Sequence, residues 1–127
     1  MNLEKVVFGF FIVLALTLNF SFVYGETGNP EYHHVIEFFF MVVVNIIATT
    51  LKLGDRSQIG ALLLATSLVA LLQLIGAALV WGYAAHLSET GLTPDIMVLI
   101  VSLAAGALVA NVISVTIVVS ETLMLRR

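Results

Sequence analysis

The chain has 127 residues, of which 61% are hydrophobic and 10% charged, with a mean hydropathy of +1.12. A soluble domain of this length needs a charged surface that so few ionisable side chains cannot supply. The absence of cysteine excludes disulfides, thiolate metal sites and a cysteine nucleophile. A net charge of -3 with only 5 Lys and Arg excludes a nucleic-acid-binding face.

The apolar residues come in long runs, as helices facing lipid on all sides require. The runs cover residues 6–24, 35–51, 59–85 and 96–119. A bilayer core takes about 20 helical residues. The first and fourth runs fit that length. The third is long enough to tilt or to extend past the core. The second is the least regular, with Glu37 near its start and Asn45 inside it. These runs predict an all-α transmembrane four-helix bundle, one domain over residues 1–127, with helices over about 5–24, 31–52, 58–86 and 94–124.

Charge placement predicts the orientation. With the N-terminus inside, Lys5, Lys52, Arg56, Arg126 and Arg127 all lie on the cytoplasmic side. The outer links carry Glu26, Glu31, Glu89 and Asp95 and no basic residue. This obeys the positive-inside rule with both termini cytoplasmic, and dropping any one span breaks the agreement. The first run also has features of a signal peptide, with Lys5 before it and Gly25 after it. Its apolar stretch exceeds the roughly 7–15 residues of a signal core, so it is read as a retained helix.

The links over 25–34, 52–58 and 86–93 are short, which makes successive helices antiparallel neighbours. Asn29-Pro30-Glu31 and Thr93-Pro94-Asp95 each offer a cap, a proline for the first turn and an acid near the positive helix end. Residues 45–50 and 111–116 share an Asn-branched-Ile-small pattern, a hint of duplication no stronger than chance among apolar helices produces.

Each span carries one carboxamide at membrane depth: Asn19, Asn45, Gln73 and Asn111. Asn45, Thr49 and Lys52 share one helical face. Such groups line a pathway in a minority of membrane proteins, and more often bond neighbouring helices at about 0.6 kcal/mol per contact. No carboxylate lies mid-span, which argues against a proton-coupled exporter of the small multidrug-resistance type, whose first helix holds a glutamate. The first helix here offers Thr17, Asn19 and Ser21. Nor is there an arginine ladder for a voltage sensor. Ser102, Gly106, Ala110 and Ser114 recur every four residues, a small-residue stripe suited equally to an oligomer seam and to packing within the bundle.

The 3 histidines, His33, His34 and His86, are expected outside. Helical spacing places His33 and His34 near Glu37, and His86 near Glu89. This set is the best ligand candidate in the chain, although its spacings match no metalloenzyme motif and a wet interface accounts for it more simply. Acidic and aromatic residues share this outer level, the Tyr and Trp as an interfacial belt.

Residues 1–11 (Met1-Asn2-Leu3-Glu4-Lys5 and onward), the turn Leu51-Lys52-Leu53-Gly54-Asp55-Arg56, Leu64-Ala65-Thr66-Ser67-Leu68-Val69-Ala70 and the ending Glu121-Thr122-Leu123-Met124-Leu125-Arg126-Arg127 carry a resemblance. Over nearly its whole length the chain resembles an uncharacterised family of small four-helix bacterial membrane proteins. The resemblance implies a bacterial inner-membrane location and transfers no activity, cofactor or catalytic residue. With no Ser-His-Asp set, metal motif or cofactor loop, neither an enzyme nor a bound cofactor or metal is expected. The sequence-level expectation is a lipid-embedded homo-oligomeric ion-conducting or transport component. The alternative is a non-conducting accessory or structural subunit packed on a larger membrane complex.

Overall fold

The computed structural model describes residues 3–24, 35–55 and 57–125. Its helices are α1 (Leu3–Val23), α2 (Val35–Lys52), α3 (Gln58–Gly82) and α4 (Pro94–Leu125). Among the described residues there is no strand. All four helices are long and apolar enough to cross a membrane. The expected start of α2 at residue 31 falls outside the described residues, as do His33, His34, Arg56, Arg126 and Arg127.

Local chemistry sets the helix ends. The Thr93 hydroxyl accepts from the Ile96 N–H at 3.2 Å, and Pro94 opens α4 where a missing N–H costs nothing. Ser57 caps α3, its hydroxyl accepting from Gly60 N–H at 2.9 Å. Past Lys52 the chain turns through Gly54 at φ +89, a left-handed conformation that favours glycine. At its other end α3 continues into a π-helical turn, Tyr83–Leu87, closed by Ser88 N–H donating to Tyr83 C=O at 2.8 Å.

The helices form an antiparallel up-down-up-down square, α1 touching α2 and α4, and α3 touching α2 and α4. Buried positions repeat every seven residues on every helix. On α1 they are Phe8, Ile12, Ala15, Asn19 and Phe22; on α3, Gly60, Leu63, Ser67, Ala70, Leu74 and Ala77. On α4 the series Met97, Ala104, Asn111 and Ile100, Ala107, Ser114 shows the same period. A seven-residue repeat is the signature of left-handed bundle packing with crossing angles near 20°. Many of these positions are alanine, so the helices approach closely. Lipid gives helices no hydrophobic drive to associate, which leaves close packing and polar bonds to hold the bundle.

The two ends differ. At one, Phe22, Phe38 and Trp81 stack between α1, α2 and α3, with ring centroids 5.3, 5.4 and 6.1 Å apart. At the other, Lys5 pairs with Glu121 at 3.6 Å, and the Lys52 ammonium lies 4.3 Å from the Phe8 ring centre. We call these the aromatic end and the lysine end.

Candidate functional site

Cross-links between helices fix their relative heights. Lys5–Glu121 sets α1 against α4, while Phe8–Lys52 and Phe22–Phe38 set α1 against α2. The hydrogen bond between the Thr66 and Ser114 hydroxyls sets α3 against α4. With a rise of about 1.5 Å per residue, Asn45, Asn111 and Ser67 fall in one slice near mid-membrane. Asn19 lies about one turn nearer the aromatic end.

All these side chains turn inward. Asn19 and Asn111 are 0% exposed, and Asn45 and Ser67 are 1% exposed. Asn45 donates from Nδ2 to the Met41 carbonyl at 2.8 Å, and Thr49 donates to the Asn45 carbonyl at 2.8 Å, so both bond along their own helix. Asn19 and Asn111 do not. Both atoms of each carboxamide, together with Ser67 Oγ, have no hydrogen-bond partner among the described residues. Each such buried group costs about 1–3 kcal/mol if left unsatisfied. Around them Ala15, Ala70, Ala104, Ala107 and Ala110 are buried and offer no polar side-chain atom.

Gln73, half-buried, uses its carboxamide differently. It lies directly over Gly106, in the space that a Cβ there would occupy. In the four-residue stripe, then, Gly106 receives a side chain from α3, while Ala110 and Ser114 are buried in the bundle and Ser102 faces outward.

The α2–α3 turn is a second polar cluster, built at the surface of the lysine end. The Asp55 carboxylate accepts from Ser57 N–H at 3.0 Å and from the Ser57 hydroxyl at 2.8 Å, and pairs with Lys52 at 3.5 Å. The Ser57 backbone and hydroxyl bonds, followed by the Lys52 charge, hold the Asp55 carboxyl below its ordinary 3.8. Its carboxylate also sits against Gly60, where a Cβ would collide with it. An open cleft of about 670 Å³ runs beside this turn, lined by Glu4, Phe8, Lys52 and Asp55 among others.

Of the expected outer ligand set, Glu37, His86 and Glu89 lie among the described residues. Glu37 accepts from the Ser21 hydroxyl of α1. His86, in the π-helical turn, and Glu89 are both exposed. No group of three metal-ligating side chains occurs among the described residues.

Sequence reading singled out the carboxamides but missed Ser67 and the Asp55–Ser57–Gly60 contacts. The seven-residue spacing of Ser67 from Gly60 and Leu74 was the available signal for the first. The close approach over Gly60 leaves no signal in composition or periodicity.

Four apolar helices packed around an inward-facing polar slice define a multi-pass membrane protein. The chain belongs to a family of unknown function, DUF6394, whose model matches residues 32–122, spanning α2, α3 and most of α4. No curated protein and no solved structure matches it.

Proposed function

We propose that this protein is a non-catalytic, non-conducting accessory subunit of the bacterial inner membrane, with both termini cytoplasmic, that packs on a membrane-protein partner. One observation carries the reading. Asn19, Asn45, Thr49, Ser67 and Asn111 all point into the bundle and the Gln73 carboxamide is turned onto Gly106 of α4, so the outward face at mid-membrane lacks the carboxamides that a symmetric pore would need at its axis. The partner surface draws on Gly9 and Gly82. Nothing lies within 4 Å of a Cβ placed at either, so neither glycine is needed for packing inside the bundle, and each leaves room for a foreign helix. The orientation draws on Lys5 and Lys52 sharing one end of the bundle, with no basic residue in the expected outer links.

The test is ion flux into liposomes containing the purified protein. Flux equal to that of protein-free liposomes is the expected result. Protein-dependent flux overturns the proposal and restores the second reading, a homo-oligomeric ion-conducting or transport component. That reading draws on the presence of a carboxamide in every span. It requires Asn45, Thr49, Lys52 or Asn111 at a symmetry axis, and native mass spectrometry in mild detergent would then show one closed oligomer.

A further inference from the structure

We propose that the interior from the level of Ser67 and Asn111 to that of Asn19, about one turn nearer the aromatic end, is a binding site for water, holding a small internal cluster that bridges α1, α3 and α4. The site is defined by five polar atoms without partners: Nδ2 and Oδ1 of Asn19, Nδ2 and Oδ1 of Asn111, and Oγ of Ser67. They belong to residues that are 0, 0 and 1% exposed, so bulk solvent does not reach them. Lipid offers no hydrogen bonds either.

The composition of the slice selects the ligand. Each carboxamide presents a donor and an acceptor, and flipping it exchanges the two without removing either. A bare cation would satisfy the oxygens and leave both Nδ2 groups facing its charge. An anion would satisfy the Nδ2 groups and leave both Oδ1 atoms facing it. Among the described residues Lys5, Lys52, Asp55 and Glu121 are all at the lysine end, and the Glu37 carboxylate, which is nearest in height to Asn19, is taken by Ser21 on the exposed side of α1, so neither ion is compensated inside. Water is the smallest molecule that donates and accepts at once, and an internal water takes 2–4 polar partners, typically about 3. Asn45 and Thr49 show the contrasting solution, bonding to carbonyls of their own helix. Asn19 and Asn111 leave those carbonyls alone and are buried in the bundle. The inference goes beyond the accessory role and holds for a conducting and a non-conducting bundle alike.

Solid-state NMR of the full chain in lipid bilayers tests it, by following proton magnetisation from water to the asparagine side chains. Transfer to Nδ2 of Asn19 and Asn111 is expected several-fold above transfer to the backbone nitrogens of Ala15 and Ala107. Transfer no greater than to those nitrogens overturns the site. In Asn19→Leu, or in Ser67→Ala should the first variant not fold, the signal at Asn111 is expected to fall, because the cluster loses an anchor. An unchanged Asn111 signal overturns the bridging arrangement. Exchanging choline chloride for sodium chloride is expected to leave the side-chain resonances in place. Sodium-dependent shifts with loss of water transfer would assign the slice to a cation and overturn the proposal.

Discussion

The α2–α3 turn and the mid-membrane slice are both polar clusters, and they solve opposite problems. In the turn, Asp55, Ser57, Lys52 and the Gly60 N–H find partners within a few residues of chain. Water competes for most of those bonds, so each adds little stability. The polar atoms of Asn19, Ser67 and Asn111 come from three helices, where a missing bond costs most, and there the direct bonds are absent. Local sequence can satisfy a polar group at a surface. In the interior of this bundle it does so for Asn45 and Thr49, through carbonyls of their own helix, but for Asn19, Ser67 and Asn111 it only places the group and leaves the partner to packing or to a bound molecule.

Changes in the slice should break that contrast most visibly. Asn111→Asp brings an ionisable group to mid-membrane and should cost about 3 kcal/mol, read as lost resistance to unfolding in mixed detergent, with Asp at the exposed position 102 as the companion variant. Asn111→Leu is more discriminating. A carboxamide that is hydrogen-bonded through water should lose about 1–3 kcal/mol on this change, whereas a gain in stability would mean that Asn111 makes no bond in the folded bundle. The direct bond between Thr66 and Ser114 is the interior control. A double-mutant cycle with Thr66→Ala and Ser114→Ala should give a coupling of about 0.6 kcal/mol.

The smallest effect belongs to the turn, and its sign follows from Asp55. A carboxyl held below its ordinary 3.8 in the fold stabilises the fold when ionised. That contribution is complete well above 3.8 and is lost as the pH falls through the depressed folded value. The difference in melting temperature between the wild type and Asp55→Asn should therefore be greatest at neutral pH and vanish in acid. A difference that persists in acid would assign the effect to shape instead of charge.

Much of this architecture was legible in the sequence because lipid imposes it. Length, apolar runs and the Thr93-Pro94-Asp95 cap marked four helices, and the last turn of the third, expected to be helical to about residue 86, is the π-helical Tyr83–Leu87. The packing faces were harder. A stripe with a step of four residues, such as Ser102–Gly106–Ala110–Ser114, drifts by about 40° per step around a helix of 3.6 residues per turn. The neighbours follow a period of seven, so the stripe begins on the outside at Ser102 and ends inside at Ser114. The carboxamides were visible as residues, but their partners were not. Asn45 and Asn111 look alike in sequence, yet one bonds along its own helix and the other does not, a difference of side-chain direction that periodicity does not encode.

The contact between Ser21 and Glu37 bears on how the second span carries its acid. α2 is the least apolar of the four spans and carries Glu37 in its first turn. Entering lipid alone, that helix would bring its carboxylate without a companion hydroxyl. Within the α1–α2 hairpin Ser21 supplies that hydroxyl, so the two helices are matched as a pair for a polar group that neither could carry into lipid alone.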